Sequence, residues 1–496
     1  MEELRKLVQI IQRRGAEDIQ LLDPKSRNNK EWKLYEGIVT GTVTTDEDAY
    51  NLLYEDKAST AGYKMLKSRL RKKLMNQLFF LDLQGNKIRI PLAQELECYA
   101  KIYQAKALLN SGAYDLAISV LKQIISIASK YEYSEIIDIC YRSLLEAYAN
   151  LGDKNNFYKI RSLQLKSQNA LAADKESEYE FMEAKLEIGR SISTRKAYLS
   201  KIGDKLKRME ALWINNRSFG TFYHYYFLTN WSHELQGNYE KVIEATFDFE
   251  EAMLKYNMNP DRFDVRFNKY ILVYAHLRTK RFDEGLKLAS LYETFFDPAS
   301  NNWFAYMENY FLLALHAKKY ELSHSVLQRV LNNPSIKKIN KLAQERWSLF
   351  EAYLHFVAPL PERPFQLQSF VQNVPTYTKD KEGYNVAILI LQVMYYLEKS
   401  DVEALAYRTE ALKKYAHKHF KDTFSDRSRL FFRLLTVMVQ ANFDPLVSQR
   451  KGNTIFQKLI QTIPPGDAYA EIEIIPYEHL WELILQRLNK LGSTKH

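Results

Sequence analysis

The chain of 496 residues carries ten histidines and two cysteines, the side chains best suited to metal binding or nucleophilic catalysis. Their spacing favours neither. His417 and His419 stand two apart, which puts them on different sides of a helix rather than on one metal. The other histidines are scattered singly. Cys98 and Cys140 each sit in an apolar helical pattern and read as reduced core thiols, because a disulfide framework or a CxxC metal site needs more cysteines. No P-loop, GxGxxG, GxSxG or HExxH motif occurs. Asp and Glu fall within helical charge patterns such as "EKSDVEA". The expectation is a chain without catalytic residues, metal or cofactor.

Two other constellations are suited to contact. Residues 57–81 hold seven cations (Lys57, Lys64, Lys67, Arg69, Arg71, Lys72 and Lys73) and no acid, against a net charge of +10 for the whole chain. The basicity is therefore local, and a local patch points to an anionic partner more strongly than a diffuse excess. Further on, "FYHYYFLTNW" offers His224, Phe227 and Trp231 on neighbouring turns, and "RFNKYILVYAHL" offers Phe267, Tyr270 and Tyr274. Aromatics give large contact area at small entropy cost, so these six positions form a candidate peptide-binding surface; the competing reading is packing between adjacent helices.

The elements that must position these residues are helices. Gly and Pro are scarce, at 16 and 13, no Pro occurs from 92 to 259, and that span is rich in Ala, Leu, Lys, Glu and Tyr. Apolar residues at 46% suffice for a large core. The longest apolar run, Val386 to Leu397, is too short to cross a bilayer. The start "MEELRKLVQIIQRRG" has no uninterrupted apolar core and no small-residue cleavage site, so a cytoplasmic protein without membrane contact is expected. Strand-like alternation is nearly absent. The one candidate is "FFLDLQGNKIRIPL", 79–92, where Gln84-Gly85-Asn86 could turn a short hairpin.

A helix, a turn and a second helix recur. The clearest unit is "QAKALLNSGAYDLAISVLKQIISIA", 104–128, with small Ala105 and Ala117 where two helices would cross and with Tyr114, Leu121 and Ile124 inside. Similar turns follow near Gly152, Gly237, Lys280, Lys318, Lys399 and Phe443. Their spacing is about 40 residues, with two double gaps that should hide divergent units near 195 and 360. The unit resembles a tetratricopeptide repeat through Ala105, Leu108, Gly112, Tyr114, Ala117 and Ile124. That resemblance implies antiparallel helix pairs stacked in a right-handed α-solenoid over 93–462, with a concave face lined by the first helix of each pair. The unit exceeds the standard 34 residues, which leaves the superhelical pitch open. Some members of that family clamp a C-terminal carboxylate with Lys and Asn at groove positions. His224, Phe227 and Trp231 stand there instead, so such a ligand is not implied. In 463–496, Leu480, Leu483, Ile484 and Leu488 share one helix face, suited to capping the last pair or to docking a partner.

Within the N-terminal module, 1–92, a helix over 61–81 would carry an apolar stripe of Tyr63, Leu66, Leu70, Leu74, Leu78 and Leu81 with cations on the remaining surface. The stretch "TDEDAYNLLYEDKASTAGYKMLKSRLRKKL" is loosely similar to winged-helix output domains of response regulators and related activators. That likeness implies a recognition helix with Lys64, Lys67, Arg71 and Lys72 on phosphates or base edges, and Lys87 and Arg89 on a β-wing. Two functions follow from the sequence. The leading one is a non-catalytic scaffold or adaptor that holds a protein or peptide in its concave face and recruits an acidic protein through Lys64, Lys67, Arg69, Arg71, Lys72 and Lys73. The alternative is a DNA-binding transcriptional regulator with the repeats as sensor or dimerisation domain. Oligomeric state is not legible.

Overall fold

The computed structural model describes residues 1–14, 29–54, 60–81, 89–189, 192–359, 382–419, 426–462 and 473–493. The fold is all-α, with consecutive helices packed on one another and no strand among the described residues. The chain divides into two compact units, Met1–Ala172 and Ala173–His496.

The first unit contains α1 (Glu2–Arg14), α2 (Lys30–Thr40), α3 (Asp46–Leu53), α4 (Thr60–Gln77), α5 (Ile90–Asn110), α6 (Tyr114–Lys130), α7 (Ser134–Leu151) and the first part of α8 (Lys154–Ile188). Leu4, Leu34, Ala49, Leu70 and Leu74 bury one core among α1 to α4. A second core gathers Cys98, Ala105, Ala117, Leu121, Cys140 and Leu144 from α5, α6 and α7. Both thiols are free, and burial pushes Cys98 up to about 11 and Cys140 up to about 12, so both stay protonated and unreactive at neutral pH. The expected hairpin at 79–92 meets helical flanks, a 3₁₀ turn at Leu78–Phe80 and α5 from Ile90 onward. Its turn and Lys87 lie outside the described residues.

The second unit continues with α9 (Ile192–Asn216), α10 (Phe219–Gln236), α11 (Tyr239–Lys255), α12 (Val265–Arg278), α13 (Phe282–Tyr292), α14 (Asn301–His316) and α15 (Tyr320–Leu331). It ends with α16 (Lys341–Val357), α17 (Glu382–Glu398), α18 (Val402–His419), α19 (Asp426–Gln440), α20 (Pro445–Gln461) and α21 (Tyr477–Ser493). Near 195, where a divergent unit is expected, a helix of 35 residues ends at Ile188 and one of 25 residues begins at Ile192. The one expected near 360 lies outside the described residues. The apolar run Val386–Leu397 belongs to α17, where burial explains its composition. Among the described residues no helix is long and apolar enough to cross a membrane.

One turn geometry recurs. Gly112, Gly152, Gly237, Lys280, Lys318, Ser400 and Asn442 all have φ between 49° and 78°. In each case the next backbone N–H reaches back to a carbonyl five residues earlier, as in Ala113 to Leu108 at 2.9 Å, Arg281 to His276 at 3.0 Å and Lys319 to Ala314 at 2.8 Å. This bond satisfies a carbonyl that the helix end would orphan, and it requires a left-handed residue. The register also repeats beyond the turn. The fifth residue after it is small and buried at Ala117, Gly285 and Ser323. At Ser400 the left-handed conformation (φ 58°) is held by an exposed L-residue. Ser400→Gly is expected to stabilise the second unit by about 0.5–1 kcal/mol, because the Cβ strain relieved exceeds the added chain entropy. Denaturant unfolding checks this, and an unchanged or lower midpoint refutes it.

The terminal helix α21 buries Leu480, Trp481, Ile484 and Leu488 against α20, α19 and α17. Its contacts extend well beyond the last helix pair. Glu478 meets Lys280 after α12 at 2.7 Å, Glu482 meets Lys318 after α14 at 3.4 Å, and Arg487 meets Glu398 at the end of α17 at 3.8 Å. The helix therefore crosses the C-terminal ends of three earlier helices.

Candidate functional site

The basic helix α4 buries Tyr63, Leu66, Leu70 and Leu74, the stripe its sequence specifies, and leaves Leu78 partly covered. Four of its cations are answered from within the same unit. Lys67 Nζ lies 2.6 Å from Asp46 Oδ1, and Arg71 Nε lies 2.6 Å from Glu3 Oε1. Arg69 and Lys73 converge on Glu31, at 3.0 and 2.6 Å. Glu31 is buried, so its two cations keep a charge in α2 that would otherwise lack compensation. Burial raises the Asp46 carboxyl, but hydrogen bonds from Lys67 and Tyr63 outweigh it and hold the group at about 2. Lys64 and Lys72 have no acidic partner among the described residues. Arg89 is the N-cap of α5 in extended conformation, with Pro91 in the first turn of the helix. Pairing of this kind is invisible in a window of sequence, because Glu3, Glu31 and Asp46 come from three other helices.

The aromatic candidates occupy the second unit. His224, Phe227 and Trp231 lie half-buried along α10, and Phe267, Tyr270 and Tyr274 lie half-buried along α12. Phe227 and Phe267 bring the two helices into ring contact at 4.3 Å. Phe181 of α8 completes the array. It stacks on Trp231 at 5.0 Å and 12°, stacks on His224 at 5.1 Å, and meets Phe227 edge-on at 6.0 Å. Tyr223 closes on Phe227 at 4.5 Å. Tyr270 and Tyr274 lie parallel at 6.4 Å, and Tyr274 continues to Tyr239, beneath Arg278. Offset and edge-on ring pairs of this type are each worth about 0.5–1.5 kcal/mol beyond area burial.

The six residues thus form two adjoining groups, one centred on Phe181 and one on Tyr239. Sequence reasoning missed both centres. Phe181 stands alone among acids in "EYEFMEAK", and Tyr239 serves the turn motif. Comparison with known proteins finds no matching family model, no matching curated protein and no matching solved structure. The site is therefore read from its own geometry. No group of three or more His, Cys, Asp or Glu able to hold a metal occurs among the described residues.

His224 has a defined role in this array. Its Nδ1 lies 2.9 Å from Ser177 Oγ, and that hydroxyl donates to the Asp174 carbonyl at 2.8 Å. Ser177 is fully buried, so it is a poor nucleophile and a good anchor. Burial, with Arg262 nearby, lowers the imidazole to about 4 and keeps it neutral. A histidine with a folded pKa below its unfolded one stabilises the fold fully above about 6.5 and loses that contribution as pH falls towards 4. The expected result is that wild-type protein loses about 2 kcal/mol more than His224→Gln between pH 6.5 and 5. Parallel denaturant titrations at the two pH values measure it. Equal losses would show that His224 titrates normally.

Proposed function

We propose that this chain is a non-catalytic scaffold or adaptor, a divergent tetratricopeptide-like array with the right-handed superhelical stacking of that class. Its ligand is an extended peptide or an amphipathic helix of a partner protein, bound along the aromatic face of α8, α10 and α12. The observation that carries this reading is the continuity of half-exposed rings across three helices, from Trp231 through Phe181 and Phe227 to Phe267. Rigid aromatics that are already packed pay little entropy on binding, which is how binding hot spots gain affinity. The recurrent left-handed turns, and the small residues five positions beyond three of them, support the repeat reading. The two unpaired cysteines suit a reducing, cytoplasmic location.

Trp231→Ala together with Tyr270→Ala is expected to remove the specific partners recovered from native-cell extract by the wild-type protein. An unchanged partner set with an intact helical spectrum rules out this face. The regulator alternative fares less well, because four cations of its recognition helix are already committed to Glu3, Glu31 and Asp46. Steeply salt-dependent duplex binding that is lost on changing Arg69, Arg71, Lys72 and Lys73 to Glu would restore it.

A further inference from the structure

The first unit exposes an apolar surface for which none of the preceding functions accounts. Among the described residues, nine of the exposed large hydrophobic side chains fall between residues 65 and 103. Along α5, Leu96, Tyr99 and Tyr103 follow the spacing of a single helix face, turned away from the core that Cys98, Ala105 and Leu109 bury. Phe79, just past α4, places its ring 6.2 Å from that of Tyr103, and the two side chains are 71% and 69% exposed. Met75 and Met65 extend the exposed apolar positions back along α4. A surface of flexible methionines and amphipathic tyrosines is of the kind that adapts to helical ligands.

The charge around it selects the occupant. On α5, Glu97 pairs with Lys101 at 2.9 Å, and Lys106 pairs with Glu146 of α7 at 3.3 Å. On α4, Lys67, Arg69, Arg71 and Lys73 are paired as described above. Among the described residues, the cations of α4 without an acidic partner are Lys64 and Lys72, both exposed and both on the helix that carries Met65 and Met75. A second copy of the chain would bring the same positive charge to the contact. A nucleic-acid duplex would use the lysines and leave the rings and methionines in water.

We propose that the surface formed by Met65, Met75, Phe79, Leu96, Tyr99 and Tyr103, with Lys64 and Lys72, docks an acidic amphipathic helix of a partner protein. The proposal deepens the adaptor reading by giving it a second surface and the ligand class for it. The Trp231 and Tyr270 variants test that reading elsewhere in the chain, so the two can fail separately.

The probe is a fluorescein-labelled helical peptide of about 20 residues, with Leu and Phe at i, i+3, i+4 and i+7 and Glu at the remaining positions. Its control has Lys in place of every Glu. The full chain is expected to bind the acidic peptide, to bind it about tenfold more weakly at high salt, and to ignore the control. Phe79→Ser with Tyr103→Ser is expected to weaken binding at least about tenfold. Lys64→Glu with Lys72→Glu is expected to weaken it about tenfold and to abolish the salt dependence. All four residues are exposed, so the variants keep the wild-type helical spectrum. The proposal is overturned by no peptide binding, by equal binding of the control, or by variants that bind as well as wild type. It is also overturned if duplex DNA, phosphatidylserine vesicles or self-association depends on these four residues while the peptide does not.

Discussion

Replacing Arg427 with methionine will destabilise the second unit by about 3–5 kcal/mol. The guanidinium is fully buried, yet each of its nitrogens has a partner. Nε and a terminal nitrogen grip Glu473 at 2.6 and 2.9 Å, the same terminal nitrogen meets Glu478, and the other reaches the carbonyls of Leu459 and Thr462 at 2.9 and 2.8 Å. Those carbonyls end α20, where a cation also suits the helix dipole. Methionine removes every one of these bonds and leaves two carboxylates near a dry core. Arg427→Lys will not restore the loss, because a point charge cannot serve both a fork of carboxylates and two carbonyls. Adding Glu473→Gln and Glu478→Gln to the methionine variant is expected to recover part of the loss, by removing the stranded charges. Denaturant unfolding followed by circular dichroism tests the set, and a loss below about 1 kcal/mol for Arg427→Met would refute the argument.

The same network sets an acid limit. Burial raises Glu478, but Arg427 and Lys280 outweigh it and hold the carboxyl at about 2. A carboxyl depressed in the fold stabilises it above its unfolded value near 4.3, and that contribution disappears as pH falls towards 2. His316, whose Nε2 lies 3.0 and 3.2 Å from the Glu473 and Ile474 carbonyls, adds a loss that begins earlier, because burial keeps it neutral down to about 4.

Gly285 and Gly203 will respond in opposite directions to one methyl group. A Cβ on Gly285 would lie 2.9 Å from His276 Cβ and 2.8 Å from Leu313 Cδ2. The leucine tip can move, but the His276 Cβ is fixed to the backbone of α12, so α12 and α13 must part. Gly285→Ala is expected to cost about 1–3 kcal/mol, and Gly285→Leu more. Leu313→Ala should relieve part of the alanine penalty and none of that owed to His276, giving a non-additive double mutant. Gly203 in α9 is exposed, and nothing lies within 4 Å of its added Cβ. Gly203→Ala is expected to gain up to about 1 kcal/mol from helix propensity alone. Thermal melts of the two alanine variants that shift in the same direction would refute the close crossing at Gly285.

Much of the helical pattern was legible in particular residues. Tyr63, Leu66, Leu70 and Leu74 mark the buried face of α4 by spacing alone, and Leu121 and Ile124 do the same for α6. Gly112, Gly152 and Gly237 mark three turns directly, and Lys280 and Lys318 mark two more by position in the recurring pattern. At the third non-glycine turn the left-handed residue is Ser400, one place beyond Lys399. These features are local, since helix periodicity and the left-handed turn are set by residues within a few positions of one another.

What the sequence could not settle depended on residues distant along the chain. "KSRLRKKL" reads as open positive charge until Glu3, Glu31 and Asp46 are folded against it. Phe181 gives no signal of joining His224, Phe227 and Trp231, and nothing near Arg427 in sequence announces Glu473 or Glu478. Local spacing therefore determined the helices, their buried faces and most of their turns. The tertiary structure alone decided which charges were spent and which rings met, because Coulombic pairing and ring contact depend on distance in space, and one-dimensional periodicity carries no information about neighbours about 20 or more residues away.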